Sequence, residues 1–366
     1  MNSILLPGGS NGNAYFSTIL TYFFRRYIII FQKVEENRLF LPIVFLVQKK
    51  YHIYITVPMR YGDTDKLIFR GSKDMRYQLE NQQFKVEIDS FGAELKAVTR
   101  KSDGRNYLWY ADETYWGRTS PVLFPFVGAP KNKEYRYDGK TYAMGQHGFA
   151  RDMEFTLEKQ EENRIWFFLN STGETLAKYP FPFCLHIGYE LAENEVKVFW
   201  RVENTGSSEM YFSIGAHPAF LCPVNGEEDK LGYGLHFGGL TDGIHHHGNT
   251  PEGMAVMEDE VLPLDNGKVT FTPGFFDKCT YMVEGKQTGE VSLLDKEGNP
   301  YVTVLFDTPL FAVWSPEGKN APFVCIEPWY GRCDAVDFCG TLEQRDYENK
   351  LSAGEEFAAE YRMQFL

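Results

Sequence analysis

Glu195-Val196-Lys197-Val198-Phe199-Trp200-Arg201-Val202 alternates polar and apolar side chains, with Phe199 as the one departure. A period of two belongs to a strand that turns one face to a core and the other to water. Similar alternation recurs at residues 84–89, 164–169, 186–191, 268–272, 290–294 and 301–306. Turn signals separate these runs: Ser102-Asp103-Gly104-Arg105, Asn204-Thr205-Gly206, Asn225-Gly226, Asp265-Asn266-Gly267 and Glu297-Gly298-Asn299-Pro300. No long amphipathic helix and no internal repeat interrupts the pattern. Many short strands at close spacing predict an all-β sandwich or barrel, built as one large domain.

Composition agrees with that reading. The chain has 366 residues, 43% hydrophobic and 24% charged, enough to bury a sizeable core. Its 30 Phe, 22 Tyr and 6 Trp favour strands over helices. A net charge of −13 argues against nucleic acid as a partner. The six cysteines are scattered without a CxxC pair, which predicts reduced thiols in a cytoplasmic protein.

The charge is uneven. Residues 1–74 carry 10 Lys and Arg against 5 Asp and Glu, whereas the remainder carries 27 against 45. This sets a boundary near Met75. The apolar run 14–31 is broken by Arg25-Arg26, so neither side is long enough to span a membrane. It also lacks the basic start of a signal peptide. A second apolar run, 39–47, contains Pro42. Residues 1–74 are therefore expected to be a poorly ordered extension or residues not native to the fold, in preference to a membrane-associating segment. The working domain is expected to be 75–366.

Four stretches mix glycine, proline and reactive side chains. In Ser213-Ile214-Gly215-Ala216-His217-Pro218-Ala219-Phe220, a strand should end at His217, because Pro218 donates no ladder bond. The two small residues before His217 leave room for a ligand near the backbone. Proton exchange and a core histidine bonded to a carbonyl are equally compatible with these eight residues. In residues 116–128, Trp116-Gly117-Arg118 precedes an apolar run with Pro121 and Pro125, which predicts a rigid loop with Arg118 at its mouth. A lone arginine is more often a surface group. In Gly145-Gln146-His147-Gly148-Phe149-Ala150-Arg151-Asp152, His147 precedes Gly148 and Phe149 offers an aromatic face, while a plain turn with Arg151-Asp152 as a surface ion pair is the alternative reading. In Phe323-Val324-Cys325-Ile326-Glu327-Pro328-Trp329, Glu327 ends an apolar strand, where an unpaired carboxylate is costly to bury, so a functional role is the stronger reading. Other signals fail. No phosphate-binding glycine loop, no zinc spacing and no GxSxG elbow is present, and His245-His246-His247 reads as an exposed loop.

Taken together and in this order, these motifs resemble the aldose 1-epimerases (galactose mutarotases), most closely their LacX-like branch. The resemblance covers about residues 76–366. It implies the large two-sheet antiparallel β-sandwich of the galactose mutarotase-like fold. It also implies interconversion of the anomers of a free hexose, with no cofactor and no metal. By motif position His217 is similar to the general acid and Glu327 to the general base, and Arg118 and His147 are similar to sugar-hydroxyl ligands. Asp277, in Gly274-Phe275-Phe276-Asp277-Lys278, corresponds to a sugar-binding aspartate through a less distinctive stretch. A nearby carboxylate is expected to help keep His217 protonated. The expected partner is a small-molecule sugar, the chain acting as a monomer or homodimer. A hexose 6-phosphate substrate is the runner-up and requires a second cation beside Arg118. A glycoside hydrolase using Glu327 and Asp277 would leave His217 without a role. A non-catalytic carbohydrate-binding protein would not need the His217 and Glu327 pair.

Overall fold

From Glu195 to Asn204 every second residue is buried, and the residues between are half-exposed. The strand thus lays Val196, Val198, Trp200 and Val202 into a core and leaves Lys197 and Arg201 outside it. The computed structural model describes residues 75–278 and 280–366, and ahead of them only the backbone of five strands. The chain divides into two units, Met1–Lys73 and Asp74–Leu366. In the first, Ile19–Phe24, Tyr27–Lys33, Leu39–Leu46 and Tyr54–Thr56 pair in that order, with Met59–Arg60 on the third. The expected order and origin of residues 1–74 otherwise lie outside the described residues.

The second unit is a β-sandwich of two large sheets, together with a three-stranded sheet and two two-stranded ones, and its strands pair antiparallel. The nine-stranded sheet runs Thr156–Gln160, Arg164–Asn170, Phe183–Ala192, Glu195–Asn204, Glu356–Phe365, Pro300–Phe306, Glu290–Leu294, Gly234–Phe237 and Lys268–Thr270. The facing eight-stranded sheet runs Ala255–Pro263, Gly243–Asn249, Tyr281–Glu284, Leu310–Trp314, Phe323–Tyr330, Ile214–Ala216 and Val122–Leu123, and Ala219–Leu221 also pairs with Phe323–Tyr330. One core lies between them. Phe306 meets Phe311 across it with ring centroids 5.0 Å apart, and Trp200 meets Tyr330 at 6.3 Å. The only α-helix among the described residues is Gly173–Leu176, so none is long and apolar enough to cross a membrane.

Phe323–Tyr330 departs from simple alternation, since seven of its eight residues are buried. Val324 and Ile326 face the main core. Phe323 and Cys325 face the other way, into a second cluster with Trp109, Ala219 and Ala321, which Trp116 and Trp314 border. Trp329 joins a third cluster with Leu123, Val127 and Ala312. Glu327 falls between these two clusters, on the sheet face turned away from the main core. A covered outer face explains how a carboxylate comes to be buried on this strand.

His245-His246-His247 is not an exposed loop. It lies within the strand Gly243–Asn249, where His246 is buried and packs on Tyr281 at 4.8 Å. The alternation of side chains along a strand sends neighbouring histidines to opposite faces. The cysteines described, Cys184, Cys222, Cys325, Cys333 and Cys339, are all free thiols.

Candidate active site

Strand register brings the two proton-transfer candidates together. Gly215 pairs with Trp329, and Ala219 pairs with Cys325. His217 lies midway between the first pair and the second, and therefore opposite Glu327. The ladder breaks at His217-Pro218, where the sequence predicts it, and resumes at Ala219. His217 Nε2 stands 3.3 Å from Glu327 Oε2, with the two side chains 8% and 1% exposed. The His217 amide donates to the Pro121 carbonyl at 3.2 Å, which ties the turn to the Arg118 loop. Gly215 is required beside it, because a Cβ there would sit 2.7 Å from the Trp329 ring.

The electrostatics reverse one expectation. Burial, reinforced by the nearby Arg151 and Arg118 guanidinium groups, pulls His217 down to about 3. Burial also pushes Glu327 well above the ordinary carboxylate range, only partly offset by the Trp329 side chain. Both shifts run the same way, favouring a neutral imidazole and a protonated carboxyl in the empty site. The carboxylate therefore does not keep His217 protonated. Having lost its own hydration, it is neutral and supplies no countercharge. His217 Nδ1 is buried without a hydrogen-bond partner, and Glu327 Oε2 makes no well-formed bond although His217 Nε2 and the Trp329 indole lie beside the carboxyl. Unpaired buried polar atoms are costly and mark a site built for another molecule.

Aromatic rings wall the pair. Trp116 stacks on His217 at 4.6 Å, Trp314 meets it edge-on at 5.3 Å, and His147 does so at 5.6 Å. His147 is held at φ +64°, in the left-handed region that a side chain rarely adopts. Two bonds to Gly128 fix it there. The His147 amide donates to the Gly128 carbonyl at 2.7 Å, and the Gly128 amide donates to His147 Nδ1 at 3.1 Å. Burial, with the neighbouring imidazole of His217 and the charges of the two arginines, keeps His147 well below its usual range. A neutral imidazole that accepts at Nδ1 carries its proton on Nε2, so His147 is a hydrogen-bond donor in this site.

Arg118 lies at the edge of the site and donates to Asp152 at 2.8 Å. Arg151 is more than a surface partner of Asp152. Its side chain is only 15% exposed, it stands 3.9 Å from Asp152, and it donates to the Gln146 carbonyl at 2.8 Å. Asp152 thus bridges two arginines, both of which act on the histidines. Glu94 fixes the Arg118 loop by accepting the Thr119 and Ser120 amides at 2.7 and 2.9 Å. Asp277 lies on the loop that precedes Tyr281–Glu284. It is exposed, accepts the Gly318 amide at 3.0 Å, and lines a cavity of about 270 Å³. Lys230 shares that cavity and bonds Ser315 Oγ and the Ala321 carbonyl, both at 2.7 Å, anchoring the loop that follows Trp314.

Arg118, His147, His217 and Glu327 are therefore neighbours, and Asp277 sits on an adjoining loop. Sequence reasoning did not single out Trp116, Trp314, Glu94 or Arg151. Trp116 and Arg151 lie inside the motifs quoted above and were visible there. Trp314 and Glu94 have no local signal and are recruited by strand pairing and loop packing. Two clusters among the described residues bring ligand-type atoms within 4.8 Å of one another: His217, Cys325 and Glu327, and separately Cys184, His186 and Glu203.

The profile of the aldose 1-epimerase family matches residues 75–364. Among curated proteins, the chromosomal protein LacX of Lactococcus lactis is 30% identical over 285 residues, covering 76% of this chain and 95% of that protein. Among solved structures, a galactose mutarotase related enzyme from Lactobacillus acidophilus is 34% identical, with a TM-score of 0.74 over 80% of this chain and 97% of that one. A galactose mutarotase-like protein from Lactobacillus casei is 30% identical, also at 0.74, over 80% of this chain and 100% of that one.

Proposed function

This chain belongs to the aldose 1-epimerase family, and from that membership we propose that it interconverts the α and β anomers of a free hexose through Glu327 and His217. The observation that carries the reading is the buried pair 3.3 Å apart, with one polar atom on each member left without a well-formed hydrogen bond. In the proposed cycle, bound sugar hydroxyls supply the missing hydrogen bonds, and the single proton of the pair crosses from Glu327 to His217. Glu327 then takes the proton of the C1 hydroxyl while His217 gives its proton to the ring oxygen. The C1–O5 bond breaks with its electron pair on O5, and C1 becomes an aldehyde. Rotation about C1–C2 presents the other face, and closure returns both protons. General acid–base help of this kind is worth about 10²–10⁴-fold. His147, as an Nε2–H donor, and Arg118 hold ring hydroxyls, while Trp116 and Trp314 exclude water.

Anomer exchange on equilibrated glucose and galactose, followed by NMR against the uncatalysed rate in the same buffer, tests the proposal. Acceleration that disappears in Glu327→Gln supports it. A wild-type protein that leaves both exchange rates unchanged removes the free-hexose reading. One observation favours a second reading: Arg151 stands beside Arg118 and supplies the second cation that a sugar phosphate needs. Asp152 already neutralises part of that charge, so the free sugar ranks first. Faster exchange of glucose 6-phosphate than of glucose would reverse the order. A binding protein without catalysis would not place an unpartnered acid and base side by side, and would bind sugar without accelerating exchange.

A further inference from the structure

The outer face of the nine-stranded sheet carries a second cluster of reactive side chains that the proposed reaction does not use. Cys184 and His186 alternate onto the same face of Phe183–Ala192, and Glu203 is the cross-strand partner of Cys184 on Glu195–Asn204. Their ligand atoms converge. Cys184 Sγ lies 3.1 Å from His186 Nε2, and Glu203 Oε1 lies 3.2 Å from the same nitrogen. The other ring nitrogen, Nδ1, is 2.7 Å from Glu158 Oε2. That outer carboxylate orients the ring so that Nε2 faces the thiol and Glu203, an arrangement found behind metal-binding histidines.

From these contacts we infer that Cys184, His186 and Glu203 form a binding site for a zinc-like divalent ion, with Glu158 orienting the histidine. A thiolate, an imidazole and a carboxylate suit zinc and leave a fourth position for water. Zinc bonds of about 2.3 Å to sulfur and about 2.0 Å to nitrogen place those two atoms about 3.5 Å apart in a tetrahedral site. The ligands need to part by only a few tenths of an ångström. On binding, the Cys184 thiol proton leaves to solvent and the sulfur pair bonds the ion.

Charge also favours a second cation. Glu158, Glu203 and Glu356 surround a single guanidinium, that of Arg201, at 3.7, 3.4 and 3.5 Å. Arg201 now rests against the imidazole, 3.0 and 3.1 Å from its two nitrogens. It retreats toward Glu356 when the ion enters. The ion then ties two adjacent strands of the nine-stranded sheet together, whereas His217 and Glu327 belong to the eight-stranded sheet.

The test uses the full chain, stripped of metal with a chelator and titrated with Co²⁺ as the probe. One equivalent should give a sulfur-to-cobalt charge-transfer band together with the d–d bands of a four-coordinate ion, and Zn²⁺ should bleach both. Cys184→Ser should abolish the charge-transfer band. Glu203→Gln and Glu158→Gln alter half-exposed side chains and keep the thiol, and each should weaken binding about 10–100-fold. Cys325→Ala should leave the band intact. Absence of the band in the wild-type chain overturns the inference. So does a band that survives in Cys184→Ser or vanishes in Cys325→Ala, since either places the ion elsewhere.

Discussion

Replacing Glu327 with glutamine should stabilise the protein at neutral pH while abolishing anomer exchange. The side chain is 1% exposed, and burial pushes its carboxyl well above the ordinary 4.5. In the unfolded chain Glu327 ionises near its ordinary value, whereas in the folded chain it keeps its proton. Above that pH unfolding releases a proton, so stability falls as pH rises, by about 1.4 kcal/mol per pH unit, until the folded group itself ionises. Below the ordinary value both states hold the proton and the effect is absent. Glutamine fills the same space with nothing to release. The advantage of Glu327→Gln should therefore be small near pH 5 and widen as pH rises toward 7. Urea denaturation of both proteins from about pH 5 to about pH 8 reads this directly, as a widening gap in midpoint at constant slope. Exchange measured on the same samples should fall by about 100-fold or more. A variant that is less stable than wild type at pH 7, by an amount independent of pH, would refute the reasoning. It would mean that Glu327 is folded as a paired carboxylate.

His217→Asn should leave the fold intact and lower turnover by about 10²–10⁴-fold, read as exchange rate at saturating sugar. Near-normal turnover would remove His217 from the mechanism. Because burial holds His217 down to about 3, kcat/KM should run level through the ordinary imidazole range near pH 6.5. Protonation of the free protein's imidazole should cost activity only as pH falls toward that lower value, and an acid limb centred near 6.5 would contradict the assignment. Arg118→Ala should raise KM about 10–100-fold with a smaller effect on kcat, and Arg118→Lys should not restore it, because an ammonium lacks the planar fork of donors. Gly148→Ala should cost about 2–4 kcal/mol and most activity. Its φ is +69°, and a Cβ there would lie 2.2 Å from the Phe124 carbonyl oxygen, so the turn that strains His147 into place must move. Thermal denaturation with a parallel exchange assay checks this.

Much of the fold was written locally. The alternation at 195–202 is the alternation of burial along Glu195–Asn204, and the run at 290–294 is the strand Glu290–Leu294. The first is legible because a half-buried strand must repeat every two residues; the second is buried throughout from Val291 to Leu294, so its pattern of residues is not a pattern of burial. The three histidines at 245–247 were misread because their period-two burial is hidden when every position carries the same residue. Arg151 was misread as a surface group because sequence adjacency to Asp152 suggested a pair, whereas the shorter contact of Asp152 is with Arg118, 34 residues away.

The sequence by itself determined the strand-rich class, the family resemblance, and two candidates for proton exchange, each followed by proline; His217 does stand at a strand end, whereas the strand expected to end at Glu327 runs on through Pro328 to Tyr330. Those are properties of local pattern and residue chemistry. Only the tertiary structure decided that His217 stands opposite Glu327, since a register joining residues 110 positions apart is set by packing of both strands into one sheet. It alone also decided where the proton rests. A pKa depends on burial and on charges brought in from elsewhere, and here burial with two arginines pulls His217 down while burial pushes Glu327 up.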